Sequence, residues 1–162
     1  MNKMMMAVAG LAMAVVLTGC GGSPKGVAED FVKAVIQKDG DKAIACVDTT
    51  DSKAWTKKAI KDFKERVEKL GKSDDINDDK LEAQAVSEHI RVPGEDKGYQ
   101  LINGKKYTGE SAFVAVQFVK GNDKKSKGMV VQLVKVDGSW KVQLDPNEIP
   151  AVQSDFDNGD DK

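Results

Sequence analysis

Hydrophobic positions follow two different periods along this chain, the first typical of helices and the second of strands. Near the start, apolar side chains return every three or four residues, which predicts an amphipathic helix. Ser23-Pro24 supplies a capping hydroxyl followed by a residue whose fixed φ suits a first helical turn. The apolar stripe of this helix consists of Val27, Phe31, Ala34 and Val35.

Two further helices are predicted before the period changes. The first is short and covers 42–47, after a break at Asp39-Gly40-Asp41. The second is capped by Asp51 or Ser52 and ends at Gly71, a residue type that commonly terminates helices. Its apolar stripe contains Trp55, Ala59, Phe63, Val67 and Leu70. Trp55 is expected to be a core or groove-wall residue.

The second half of the chain alternates apolar and polar residues, which predicts β-strands. The predicted strands cover 81–92, 99–102, 112–120, 130–136 and 139–144. Asp137-Gly138 joins the last two strands and favours a type I′ hairpin. A two-residue turn fixes the register, so Leu133 should oppose Val142 and Lys135 should oppose Trp140.

These elements predict one α+β domain over 24–150, in which helices pack on an antiparallel sheet of about four strands. Removing residues 1–19 would leave 143 residues, enough for one hydrophobic core. The acidic segment 151–162 is expected to be disordered, because it is rich in aspartate and poor in apolar residues.

The first twenty residues have the pattern of a secretory signal. Lys3 precedes an apolar run of 14 residues, Met4 to Leu17, which is too short to span a bilayer easily. Leu17-Thr18-Gly19-Cys20 resembles the lipobox of bacterial lipoproteins. The resemblance implies that residues 1–19 are cleaved, that Cys20 carries acyl chains such as palmitate, and that 20–23 form a short tether.

Two alternatives remain for this segment: a transmembrane anchor, and an ordinary signal peptide that leaves Cys20 as a plain thiol. If Cys20 is lipidated, the membrane is a partner through its acyl chains. The residue after the cysteine is Gly21. In many Gram-negative lipoproteins, an aspartate at this position is the signal for retention in the inner membrane. By that resemblance, a Gram-negative host would place the protein on the periplasmic face of the outer membrane.

Composition excludes several classes of function. The formal net charge of −1 offers no basic footprint for nucleic acid. Asp74, Asp75, Asp78 and Asp79 lack the spacing of a calcium loop, so neither a metal nor another cofactor is predicted. The single histidine, His89, is expected to be an ordinary strand residue, and Cys46 a small buried side chain in the second helix.

Two segments resemble the opening and the closing hairpin of a bacterial lipoprotein family. The segments are Ser23 to Ala43 and Leu133 to Val142. That family is described as a domain of unknown function, lumazine-binding-like, within the nuclear transport factor 2-like (cystatin-like) superfamily. The resemblance implies a cone-like fold with a strongly curved sheet. It carries over no catalytic residue and no ligand contact.

The sequence therefore favours a lipid-anchored protein of the cell envelope with a non-enzymatic binding domain. A small molecule or another envelope protein is the expected ligand. One alternative is a small isomerase- or hydrolase-like enzyme that uses the cone interior as its pocket. The other is a structural protein of envelope homeostasis.

Overall fold

In the computed structural model of the chain, residues 22–69, 81–120 and 123–148 are described. They form three helices, a four-stranded antiparallel sheet and a separate two-stranded hairpin. The helices are α1 (Pro24–Ile36), α2 (Gly40–Ala45) and α3 (Lys57–Lys69). The strands are β1 (Leu81–Arg91), β2 (Gln100–Ile102), β3 (Lys105–Tyr107), β4 (Ser111–Lys120), β5 (Asp123–Val136) and β6 (Ser139–Val142). The predicted α+β class is confirmed.

Short polar side chains begin each helix. Ser23 caps α1 by accepting a hydrogen bond from the Gly26 N–H at 3.1 Å, as predicted. Asp39 caps α2 in the same way, so the segment expected to break the first helix also starts the second. The prediction that Asp51 or Ser52 caps the third helix is wrong, because Thr56 accepts from the Ala59 N–H at 3.1 Å.

The main sheet has the order β1-β4-β5-β6, with every neighbouring pair antiparallel. The predicted closing hairpin is confirmed in register: Leu133 pairs with Val142 and Lys135 with Trp140. Positive φ angles at Asp137 and Gly138 (49° and 80°) identify the type I′ turn. The Lys135 ammonium lies 5.6 Å from the Trp140 ring centroid.

The core lies between α1 and one face of the main sheet. Inward residues of β4 are fully or almost fully buried, and they alternate with half-buried residues on the other face, as the period of two predicts. The inward set consists of Ala112, Val114, Val116 and Phe118. Phe31 of α1 has no exposed surface, and Trp55 meets Phe63 edge to face at 5.6 Å.

The prediction of a strongly curved, cone-like sheet is wrong: the sheet is open and is not strongly curled. Since α1 contacts all four of its strands, one helix covers the apolar face and the sheet does not need to enclose a hollow. Predictions for residues 1–19, for Cys20, for the aspartates of 74–79 and for the tail 151–162 lie outside the described residues.

The hairpin β2–β3 packs on the opposite face of the sheet. Its turn, Asn103-Gly104, has positive φ at both residues (50° and 76°), which is again type I′ geometry. Ile102 and Tyr107 pack there against Val134 of β5, forming a second and smaller apolar cluster. This hairpin brings the side chains of β3 beside the segment that joins α2 to α3.

Candidate functional site

A buried carboxylate, Asp48, forms the centre of the most developed polar cluster among the described residues. Its side chain is 1% exposed. Asp48 follows Val47, which forms a parallel bridge with Val142 at the edge of β6. The Asp48 N–H donates to the Val142 carbonyl oxygen at 2.8 Å, so the backbone at this position is held by the sheet.

Four donors surround the Asp48 carboxylate. Thr50 donates both its N–H, at 3.1 Å, and its hydroxyl, at 2.6 Å, to Oδ1. The Tyr107 hydroxyl donates to Oδ2 at 3.1 Å, and the Lys105 ammonium lies 3.4 Å from the same oxygen. Lys105 also lies 3.2 Å from the Thr50 hydroxyl. A buried charge with this many partners is stable in its ionised form.

The two buried ionisable groups have pKa values displaced in opposite directions. Burial alone would raise the pKa of Asp48, but the hydrogen bonds from Thr50 and the charge of Lys105 outweigh it and hold the pKa below its usual value. Burial, together with the adjacent Asp48 charge, raises the pKa of Tyr107 far above its usual value of 10.0. Near neutral pH, the pair is therefore a carboxylate that accepts and a phenol that donates.

The depressed pKa of Asp48 predicts a specific dependence of stability on pH. Because the folded pKa lies below the unfolded value, the carboxylate contributes stability above the unfolded pKa, and this contribution is lost as the pH falls through the folded pKa. Urea unfolding of the wild type and of Asp48→Ala should show a constant difference from about pH 7 to 5, and a shrinking one below about pH 4. A difference that grew on acidification would contradict this assignment.

A small cleft lies beside the cluster, between the hairpin β2–β3 and the segment before α3. Its volume is about 110 Å³, well below the roughly 300 Å³ at which small-molecule pockets usually begin. Trp55 forms part of the wall of this cleft, in agreement with the prediction that it is a core or groove-wall residue. The Asn103 side-chain amide donates to the Gln143 side-chain oxygen at 2.7 Å across the cleft. The cleft is too small for more than a single chemical group of a ligand.

Two wider grooves are present on the surface. One, of about 460 Å³, runs between α3 and the segment that follows β6, with the charged side chains Lys58, Asp62, Glu65 and Lys69 among those that line it. Arg66 fixes its far wall by donating to the carbonyl oxygens of Pro146 and Asn147, the latter at 3.1 Å. The other, of about 320 Å³, lies beside β6 and the residues around Thr49.

The residues singled out in the sequence do not meet in one site. His89 is an exposed residue of β1 opposite Phe113, so its predicted place in the first strand is confirmed. Cys20 lies outside the described residues. Within the described ranges, no three histidine, cysteine, aspartate or glutamate side chains are grouped so that they could hold a metal ion.

Cys46 is 1% exposed, as predicted, and its residue is the C-cap of α2. The structure also holds it in a disulfide, which the prediction of an ordinary small buried side chain did not include. The chain has two cysteines. A disulfide to Cys20 and a lipid on Cys20 exclude each other, because one sulfur cannot form both bonds. The lipid anchor proposed below therefore requires a mature protein in which Cys20 carries acyl chains in place of a disulfide to Cys46.

Asp48, Lys105 and Tyr107 were not indicated by the sequence as a site. Their contacts join positions 57 and 59 residues apart in the chain, and no local spacing encodes them. A partial signal was present in Asn103-Gly104, the dipeptide that most strongly predicts a two-residue hairpin. That turn would have placed Lys105 and Tyr107 on one strand and on the same face of it.

Among the described helices, none combines the length and the apolar character that a membrane-spanning helix requires. Comparisons of the chain with family models, with curated proteins and with solved structures find no match.

Proposed function

We propose that this chain is a bacterial lipoprotein, anchored to the cell envelope by acyl chains on Cys20, whose folded domain binds a ligand without catalysing a reaction. The ligand is a small molecule or another envelope protein. The observation that carries the non-catalytic part of this proposal is the state of the Asp48 cluster.

General acid–base catalysis needs a group whose pKa lies near the working pH. The pKa of Asp48 is depressed and that of Tyr107 is raised, so neither group exchanges a proton readily near neutrality. The two groups are also hydrogen-bonded to each other, because the Tyr107 hydroxyl donates to Oδ2 of Asp48 at 3.1 Å. This arrangement supports a cluster that fastens the hairpin β2–β3 to the fold, and it weighs against the enzyme alternative.

Close packing of the core supports a binding surface on the outside of the domain. Phe31, Val114 and Leu133 have no exposed surface between α1 and the sheet, and the three clefts described above lie elsewhere. The groove along α3 has the largest volume of the three. Its positive and negative side chains favour a polar or zwitterionic ligand, or a charged segment of a protein.

The anchoring part of the proposal rests on Leu17-Thr18-Gly19-Cys20 and on the place where the domain begins. Because α1 starts at Pro24, the four residues of the tether, 20–23, can span at most about 14 Å. Two or three acyl chains give stable attachment, since each buried CH₂ contributes about 0.8 kcal/mol. With Gly21 after the cysteine, we propose the periplasmic face of the outer membrane as the location in a Gram-negative host.

Replacing Cys20 by alanine should abolish incorporation of labelled palmitate, leave the precursor uncleaved and remove the acylated form from the membrane fraction. The matched control is Cys46→Ala, which removes the other cysteine and should leave acylation intact. Acyl labelling that survives in Cys20→Ala would refute the anchor.

Native mass spectrometry of the mature protein, extracted from its own host in mild detergent, tests the binding part. A molecule or protein should co-purify with the wild type. Its loss on charge reversal at Lys58 and Asp62, but not at the remote Lys106, would support binding in the groove along α3. Turnover of that molecule by the purified protein would instead establish the enzyme alternative.

A further inference from the structure

Considering only the residues that the structure describes, the outer edge of β1 is the least protected part of the sheet. At the opposite end of the sheet, the segment around Val47 covers the edge of β6. Along the first half of β1, α1 provides protection, because the Glu29 carboxylate accepts a hydrogen bond from the Ala85 N–H at 2.8 Å. A bulge between Ala85 and Ser87 then separates this half from the second half.

Hydrogen bonds at the far side of the sheet identify which backbone groups of β1 point outward. Val142 donates its N–H to the Cys46 carbonyl at 2.7 Å and accepts from the Asp48 N–H at 2.8 Å. Its ladder partner Leu133 must therefore direct its own groups toward β4, where it pairs with Ala112. Ala112 in turn directs its groups toward β5.

Successive residues of a strand direct their polar groups to opposite sides. Phe113, next to Ala112, therefore bonds toward β1, where its partner is His89. The two neighbours of His89, Glu88 and Ile90, consequently direct their N–H and C=O groups to the free side of β1. In the part of the chain that the structure describes, no backbone or side-chain group hydrogen-bonds to them there.

The side chains along this half of β1, and of the residue that follows the strand, are also unusually apolar for a surface. Val86, Ile90 and Val92 are 48%, 44% and 68% exposed. They make up three of the five large hydrophobic residues that are exposed in the described ranges. An exposed apolar edge strand with open backbone groups is a template for a further strand.

We propose that this edge of β1 pairs, in antiparallel orientation, with the same edge of a second copy of the chain, with the two Ile90 residues opposite each other. A two-fold axis through this point makes every outward N–H of one copy meet an outward C=O of the other, as in other symmetric dimers. The two four-stranded sheets then form one continuous sheet of eight strands.

Several registers would place residues with outward-directed backbone groups opposite each other. Repulsion between the Glu88 carboxylates of the two copies favours the register with Ile90 opposite Ile90. Pairing Glu88 with Glu88 would oppose two carboxylates directly, and pairing Glu88 with Ile90 would leave the two carboxylates as diagonal neighbours. With Ile90 opposite Ile90, Glu88 faces Val92 and the carboxylates are separated by the apolar pair. Arg91, which already stacks on Phe113 at 5.2 Å, then faces His89 of the second copy.

Cysteine cross-linking in the full chain, in its native membrane, tests the contact. In Ile90→Cys, mild oxidation should give a dimer that reductant reverses, because opposed Cα atoms in such a pair are about 5.5 Å apart, within the range of a disulfide. The control is Leu101→Cys on β2, where the side chain is 63% exposed but lies outside the proposed contact. Equal cross-linking of the two variants would overturn the proposal.

Ile90→Pro provides an independent test of the backbone contact. Proline at this position removes only an outward N–H and leaves the bonds between β1 and β4 in place. By sedimentation of the mature protein in detergent, the wild type should have twice the protein mass of Ile90→Pro, with the same circular dichroism. A monomeric wild type, or a monomer that carries an extended peptide from another protein, would overturn pairing with a second copy.

Discussion

Replacement of Asp48 by alanine is expected to lower the free energy of unfolding by about 3 kcal/mol, because one buried carboxylate accepts from four donors at once. The substitution leaves the Tyr107 hydroxyl, in a residue that is 6% exposed, without its acceptor. It also removes the counter-charge of Lys105, whose side chain is only 34% exposed. Urea denaturation at neutral pH measures the loss directly.

Tyr107→Phe is the matched control for this prediction. It removes one donor and leaves the carboxylate with Thr50 and Lys105, so the expected loss is only about 1 kcal/mol. In the double variant, the loss should be smaller than the sum of the two single losses, because both substitutions remove the same 3.1 Å hydrogen bond. A loss below about 0.5 kcal/mol in Asp48→Ala, the size of an ordinary surface change, would contradict the structural role of the cluster.

Phe31→Ala should have the largest effect of any single substitution considered for this domain, about 4 kcal/mol. Phe31 projects from α1 into the core and has no exposed surface. Removing its ring therefore loses the transfer free energy of the side chain and also leaves a cavity. Since domains of this size are stable by only about 5–15 kcal/mol, the variant should be near the limit of folding.

The control is Phe113→Ala on the other face of the sheet. Phe113 is half-buried and contacts the Arg91 guanidinium, so its loss should be less than half as large. This comparison also distinguishes a filled core from an open pocket. If the space between α1 and the sheet were an open, ligand-accessible hollow, the Phe31 substitution would be about as mild as that of Phe113.

The closing hairpin shows how much a sequence can specify when the turn and the strands agree. Asp137-Gly138 selects one turn type, and that turn fixes which residues of β5 and β6 face each other. The alternation of apolar residues then requires Trp140 and Val142 to face the core, where they are 5% and 0% exposed. Local geometry and burial give the same answer here, so the predicted register holds from the pair Val136–Ser139 to the pair Leu133–Val142, although the strand ends at Val142 and not at 144.

Other features depend on contacts that no local pattern contains. The third helix starts at Lys57 and not near Asp51, because the Asp51 carboxylate accepts from the Lys53 N–H in a preceding turn. Both sites have capping side chains in the sequence, and Trp55, which lies between them, is buried against Phe63 of α3. The curvature of the sheet likewise depends on how many helices it must cover, which a strand pattern does not state.

Asp48 illustrates most clearly a feature that the sequence alone does not predict. In the sequence it is one aspartate among many, in the polar segment Asp48-Thr49-Thr50-Asp51. Its importance comes from burial at the edge of β6 and from a hairpin that begins about fifty residues later in the chain. By contrast, the proposal for Cys20 rests on the local sequence alone, because a lipoprotein peptidase would recognise only the residues around the cysteine.

The most direct test of the account is the mass of the first tryptic peptide of the mature protein, prepared from membranes without reduction. If acyl chains on Cys20 anchor the protein, this peptide begins at Cys20, ends at Lys25 and carries two or three acyl chains. The result that would contradict it is the same peptide without lipid, joined by a disulfide to the peptide that contains Cys46, or any peptide that still includes residues of 1–19.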